Sequence, residues 1–219
     1  MNHLYNIFIK LIDKLILPIL GLFNPKIKRF RKNRLSLIKK IKNEVSHENN
    51  CIWFHVASLG EYEIAVPVIR LIKEKYKSKI ILTFFSESGF KLKNRIKEID
   101  YTYYLPLDTK SNAKKFLDII NPEIVIFVRS EIWPNYLNEI KKRNIKSYLV
   151  ESRFNQNSRY LRGIQSIFYL KKLKIFDKIF SVDEESKNAL NRVKINNVVV
   201  SGSLKIERVK DYLDENYNN

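Results

Sequence analysis

The chain has 219 residues, 45% of them hydrophobic, which is enough to bury one sizeable core and excludes a disordered polymer. Forty-one Lys and Arg against 23 Asp and Glu give a formal charge of +18, favouring an anionic partner such as nucleic acid, a phospholipid surface or a phosphorylated substrate. Lys, Ile and Asn abound throughout, so a codon bias toward A and T, with the excess charge on solvated faces, accounts for part of it. A single cysteine, Cys51, excludes an internal disulfide, and His3, His47 and His55 lack metal-ligand spacing; a reducing compartment and no metal are expected.

From Leu4 to Phe23, apolar residues recur at Leu4, Ile7, Phe8, Leu11, Leu15 and Ile19, while Asn6, Lys10, Asp13 and Lys14 fall elsewhere, the pattern of an amphipathic helix. Its longest uncharged stretch, Leu15 to Phe23, is far short of the roughly 20 residues that cross a bilayer. No small-residue cleavage site follows, which disfavours a secretory signal. Lys26, Lys28, Arg29, Arg31, Lys32 and Arg34 come next, with Phe30 among them. Residues 1–34 therefore read as an amphipathic helix and basic segment on an anionic membrane surface, the alternative being a helix packed on the domain. Residues 35–50 read as a Lys-rich helical connector ending in a loop, His47-Glu48-Asn49-Asn50.

After it, apolar strand candidates at 52–57, 79–85, 101–105, 123–128, 146–150 and 196–200 alternate with helical stretches. Such runs suit strands buried on both faces, and the alternation predicts an α/β domain with a doubly wound, Rossmann-like parallel sheet over residues 51–205. Pro67 is expected to kink the first of these helices or push its regular start later. Ile179 to Val182 reads as a further short strand, with Asp183-Glu184-Glu185 opening a helix. The polar residues 206–219 read as an interdomain linker cut short.

Small or polar residues follow several strands: Ser58, Gly60 and Glu61; Ser86, Glu87, Ser88 and Gly89; Asp108; Arg129, Ser130 and Glu131; Ser152 and Arg153. Parallel strands put all of these on one rim, the edge where open α/β sheets bind ligands. Helix capping explains some of them, but not the paired glutamates, arginines and glycines. Gly60 is expected to turn the chain sharply and set Glu61 at a helix mouth. No Gly-x-Gly-x-x-Gly or Walker loop is present, which disfavours dinucleotide binding and P-loop phosphotransfer. His55 sits inside an apolar strand, as a satisfied core histidine does, and completes no nucleophile-histidine-acid set. Carboxylate chemistry remains: an ionised Glu at a helix mouth can take a proton from an attacking hydroxyl. The structural alternative for Glu61 and Glu131 is a helix-start charge worth well under about 1 kcal/mol.

Ser58-Leu59-Gly60-Glu61, Thr83 through Ser88-Gly89, Tyr104-Leu105-Pro106-Leu107-Asp108, Ser130-Glu131-Ile132-Trp133-Pro134-Asn135 and Gly202-Ser203-Leu204-Lys205 occur in this order. Together they resemble the amino-terminal domain of 3-deoxy-D-manno-octulosonic acid (Kdo) transferases, from about residue 4 to 209. The resemblance implies the amino-terminal, acceptor-side half of a GT-B glycosyltransferase with two Rossmann-like domains. Such an enzyme moves Kdo from CMP-Kdo to a lipid A precursor with inversion, in lipopolysaccharide biosynthesis at the cytoplasmic face of the bacterial inner membrane. It implies Glu61 as general base with Glu131 near the same cleft, and substrate-binding roles for Ser58, Gly60, Ser88, Gly89, Arg129, Arg153 and Lys205. The partners it implies are the lipid A precursor, CMP-Kdo held through a carboxyl-terminal domain, and the anionic membrane; no cofactor, metal or nucleic acid is expected.

The sequence departs from the family pattern at three places. Arg129 stands where many relatives carry a glutamate, Asn33-Arg34 where the family has Gly-Arg, and Glu151-Ser152-Arg153 where it has Asn-Ala-Arg. The chain also ends where the family's second domain is expected, so this part alone should not bind CMP-Kdo well or transfer the sugar. Two other readings stand beside this one. One is a non-enzymatic module binding an anionic membrane or nucleic acid, the other a related transferase with another sugar or acceptor.

Overall fold

A computed structural model describes residues 2–45, 51–90 and 98–209, without the side chain of Ser88. The expected loop from His47 to Asn50 and residues 210–219 of the expected linker lie outside the described residues. Strands β1 (Cys51–Val56), β2 (Lys79–Phe84), β3 (Tyr101–Tyr104), β4 (Ile124–Val128), β5 (Lys146–Ser152), β6 (Lys178–Ser181) and β7 (Val198–Val200) form one parallel sheet. Their order is β3-β2-β1-β4-β5-β6-β7. β1 is buried at every position, which is why its sequence is an unbroken apolar run. The chain starts mid-sheet, winds outward to β3, returns beside β1 as β4, and winds outward again to β7. The winding reverses between β1 and β4, and there the turns after the strands leave a crevice at the carboxyl edge.

One face of the sheet is covered by α4 (Leu37–Glu44), α7 (Lys110–Ile120), α8 (Pro134–Lys142), α9 (Ser166–Leu173) and α10 (Glu184–Arg192). Trp53 anchors this core, its ring 5.0 Å from Phe116, 5.4 Å from Phe127 and 5.5 Å from Tyr136. Leu37, Ile41 and Val45 are buried in it, so the predicted connector contains a core helix. The opposite face packs Phe54, Leu82 and Phe84 against α5 (Leu59–Lys75). Pro67 does not delay this helix, which is regular from Leu59 onward. Its buried residues Ile64, Ala65, Val66 and Ile69 flank the proline and hold both halves on the sheet.

The amino-terminal segment comprises α1 (Asn2–Leu11), a π-helical turn (Ile12–Ile16), α2 (Leu17–Phe23) and α3 (Pro25–Lys32). Asn24 starts α3 by accepting the Lys26 and Ile27 N–H groups at 2.9 and 3.4 Å, with Pro25 in the first helical position. The six apolar residues of the predicted face, Leu4, Ile7, Phe8, Leu11, Leu15 and Ile19, are all exposed, as are Leu22 and Phe23 at 80% and 81%. The same segment is also docked on the domain: the Tyr5 ring lies 5.5 Å from Phe168, and Asn33 donates to the Tyr104 hydroxyl at 3.1 Å. Among the described residues, no helix is long and apolar enough to cross a membrane. α6 (Glu87–Phe90) follows β2, and a last helical segment, 204–209, follows β7.

Candidate active site

Glu61 lies in the first turn of α5, directly beyond β1. Its Oε2 accepts the Ala57 N–H at 2.6 Å, and the Ser58 N–H also favours its charged form. This is half of a capping box: the glutamate three residues after the cap reaches back to the backbone, while the Ser58 side chain makes no cap bond. Burial raises the Glu61 carboxyl above the ordinary range against the pull of these N–H groups. The charge of Glu131 raises it further, and Arg129 opposes. β1 and β4 are neighbours, so Glu61, Arg129 and Glu131 meet at the crevice where the sheet changes winding.

Glu131 is held from two sides through one oxygen. Its Oε2 accepts the Trp133 indole N–H at 2.8 Å and faces His55 Nε2 at 3.3 Å. Arg129 has a φ of 65°, a left-handed conformation that costs a non-glycine residue about 1–2 kcal/mol. Its Nε is buried without a hydrogen-bond partner among the described residues. A strained cation with an unused donor, beside two carboxylates, is equipped to meet an anionic group of a ligand. Arg159 feels the charge of Glu131 and adds a second cation on this side.

The other predicted residues divide. Ser58 caps α5 in extended conformation. Gly60 does not make the turn: it lies inside the first turn of α5 without a left-handed φ, because Ala57 and Ser58 already redirect the chain. A Cβ on Gly60 would meet no atom within 4 Å, so neither turn nor packing demands glycine, and the exposed backbone is open to a ligand. Gly89 has a packing role, since a Cβ there would lie 2.1 Å from the Phe84 ring. The side chain of Ser88 is outside the described set. Arg153 is exposed beyond β5, 3.9 Å from Asp183, and Lys205 is exposed on the last helical segment; their described contacts include neither Glu61 nor Glu131.

Three features escaped the sequence reading. Glu151 is wholly buried, has a φ of 53°, and accepts from Ser203 Oγ at 2.9 Å and the Leu204 N–H at 2.7 Å. It thereby caps the last helical segment and gives the Gly202-Ser203-Leu204 stretch a structural purpose. Arg34 is internal rather than part of a basic surface: it donates to the carbonyls of Leu105, Phe85 and Phe30 at 2.9, 2.7 and 3.2 Å, with its guanidinium 3.7 Å from the Phe30 ring centre. The third is a cavity of about 640 Å³ between the amino-terminal helices and the loop after β2, apolar at Leu17, Ile27, Phe30 and Phe85 and edged by Lys26 and Arg29. It adjoins the carboxylates, since the Phe85 ring lies 4.9 Å from Trp133.

The sequence model of a family described as 3-deoxy-D-manno-octulosonic-acid transferase (kdotransferase) matches residues 29–208. The 3-deoxy-D-manno-octulosonic acid transferase of Rickettsia felis is 30% identical over 173 residues, covering 78% of this chain and 37% of that protein. That of Haemophilus influenzae is 27% identical over 161 residues, 73% of this chain and 38% of the other. A bifunctional glycosyltransferase/methyltransferase of Fusobacterium nucleatum is 26% identical over 98% of this chain and 34% of its own length. The chain thus spans 34 to 38% of the length of these relatives. Among solved structures, UDP-GlcNAc 2-epimerase from Neisseria meningitidis bound to UDP-GlcNAc aligns with a TM-score of 0.56 at 18% identity, over 75% of this chain and 50% of that one. The UDP-N-acetylglucosamine 2-epimerase from Rickettsia bellii aligns with a TM-score of 0.56 at 17% identity, over 77% and 48%, and at such identity both likenesses are of fold. With the sheet and both glutamate-bearing turns inside the matched span, the chain belongs to the 3-deoxy-D-manno-octulosonic acid (Kdo) transferase family.

Proposed function

We propose that this chain is the acceptor-side part of an inverting glycosyltransferase of lipopolysaccharide biosynthesis, transferring Kdo from CMP-Kdo to a lipid A precursor with Glu61 as general base. The observation that carries this reading is a carboxylate at the sheet's switch point, held by backbone N–H groups and raised above its ordinary range by burial and by Glu131. A raised carboxylate is a stronger base. It takes the proton of the acceptor hydroxyl as that oxygen bonds to the anomeric carbon from the face opposite the leaving group. The bond from that carbon to the cytidylate oxygen breaks, and its electron pair leaves with the phosphate. Arg129 meets the negative charge of a substrate phosphate or carboxylate. The chemistry invokes no cofactor or metal.

The acceptor's nature is supported by what surrounds the carboxylates. The cavity lined by Leu17, Phe30 and Phe85 suits acyl chains, and Lys26 and Arg29 at its edge suit phosphates. The exposed apolar face of α1 and α2 leads into the basic α3, a combination that holds a peripheral protein to the anionic cytoplasmic face of the inner membrane. CMP-Kdo is held mainly by the remainder of the enzyme, corresponding to the length of the relatives that this chain does not span. The test is Kdo transfer from CMP-Kdo to a lipid A precursor in detergent, with this chain alone and mixed with the carboxyl-terminal part of a relative. Transfer only in the mixture is expected; no transfer despite demonstrated association of the two parts would overturn the proposal.

A further inference from the structure

We infer that His55 is a positioning residue: from inside the core it presents Nε2–H to the Glu131 carboxylate, at the end of a directed hydrogen-bond chain that starts at Trp53. The inference rests on the proposed role of the Glu61 and Glu131 pair and explains what holds one of its members.

The direction follows from counting donors. The Trp53 indole N–H can only donate, and it lies 2.8 Å from Thr83 Oγ1. Thr83 therefore accepts there and has one proton of its own. Two acceptors compete for it, His55 Nδ1 at 2.9 Å and the Phe54 carbonyl at 3.3 Å. If the proton goes to Phe54, Nδ1 must carry the ring hydrogen, and Nε2 then turns a bare lone pair toward Glu131 Oε2 at 3.3 Å. That juxtaposition of two acceptors needs an extra proton or leaves Nε2 unsatisfied, and the ring is wholly buried, beyond reach of a correcting water. If the proton goes to Nδ1, Nε2–H donates to Glu131 and every polar atom in the chain is matched. The shorter distance agrees with the second arrangement.

The sheet fixes the relay. His55 pairs in register with Thr83 on β2 and with Phe127 on β4, so the imidazole reaches Glu131 from one strand while taking the threonine proton from the next. Trp133 and Phe127 pack edge-on against the ring, at 5.4 Å and 83°, and at 5.9 Å and 70°. Glu131 Oε2 then receives two N–H groups, from His55 and Trp133, which hold the carboxylate in place from two sides. Arg129 and Arg159 lie on the same side, and Glu61 is the opposing carboxylate. The relay thus positions the carboxylate whose charge adds to burial in raising the carboxyl of Glu61, the member assigned to take the proton from the acceptor.

The test uses this chain without substrate. Long-range proton–nitrogen NMR at neutral pH should find His55 as the neutral tautomer with hydrogen on Nε2; hydrogen on Nδ1 alone overturns the relay. The Glu61 carboxyl carbon is then titrated in parent and variants. Glu131→Gln should move its midpoint downward, and His55→Asn, too short to reach Glu131, should move it in the same direction. His55→Gln, whose amide nitrogen takes the place of Nε2, should restore the parent midpoint. An unchanged midpoint in folded His55→Asn overturns the relay, and the tautomer decides in the parent if that variant does not fold. Neither readout involves transfer: a correct tautomer in a chain that supports no transfer sinks the proposed function alone. Transfer that depends on Glu61 together with an Nδ1–H tautomer sinks the relay alone.

Discussion

The Tyr5 hydroxyl donates to Asp108 Oδ2 at 2.6 Å, tying the first helix to the turn after β3. Asp108 is wholly buried and also accepts the N–H groups of Asn135 and Tyr136, each at 3.1 Å, so it caps α8 from another segment. α8 begins just after Glu131 and Trp133. One carboxylate therefore joins the helix with the exposed apolar face to the turn that carries the candidate site.

Tyr5→Phe removes a hydrogen bond to a buried carboxylate and should cost about 1.5–3 kcal/mol. Denaturant unfolding of parent and variant measures it. A loss under about 0.5 kcal/mol would mean that α1 is not held by this bond.

Burial pushes the Asp108 carboxyl up to about 7, against the pull of its hydrogen-bond donors and Lys172. A carboxyl raised in the folded state binds its proton more tightly there than in the unfolded chain. Its contribution to stability is complete below the ordinary Asp range of about 4 and is lost as pH rises through about 7. Comparing unfolding midpoints at about pH 4.5 and about pH 8 should show a fall in the parent that Asp108→Asn reduces. Equal slopes in both proteins would contradict the assignment.

Arg34 closes three backbone carbonyls and lies over Phe30, and burial lowers its guanidinium to about 10. Lysine retains the charge but has no planar fork, so Arg34→Lys should destabilise by about 3 kcal/mol. The same unfolding measurement, with the Phe30 and Phe85 ring signals as local reporters, checks this.

The chain should bind vesicles containing anionic lipid, more weakly as salt rises. Leu22→Asp with Phe23→Asp should weaken that binding at least about tenfold, since each exposed side chain gives up about 1.5–3 kcal/mol of burial in the bilayer. Both residues are exposed, so unfolding midpoints should stay put. Undiminished vesicle binding would remove α2 from the membrane contact.

The parallel sheet was legible because each central strand is buried on both faces and reads as a continuous apolar run; β1, with His55 as its one polar residue, is the clearest case. The positions of Glu61 and Glu131 followed, since the first residues after parallel strands share an edge. The local backbone was less legible. Ser58 to Glu61 reads equally well as a glycine turn or a helix start, and the capping geometry decides for the helix. Nothing in the residue types at 129 and 151 announces a left-handed conformation. Least visible were the pairings between distant segments, Tyr5 with Asp108 and Arg34 with Leu105, because they depend on where the amino-terminal helices dock and leave no local periodicity. His55 was rightly legible as a satisfied core histidine, while its partner Glu131, 76 positions away, was not.

Whether Glu61 takes the acceptor's proton is tested by Kdo transfer with Glu61→Gln in the mixture with a relative's carboxyl-terminal part. The amide keeps the size of the side chain and an acceptor for the Ala57 N–H but cannot act as a base at neutral pH. Transfer should fall about 10²- to 10⁴-fold, the usual contribution of a general base, with vesicle binding unchanged. Transfer by Glu61→Gln within about twofold of the parent, a difference of under about 0.5 kcal/mol in the barrier, would contradict the account.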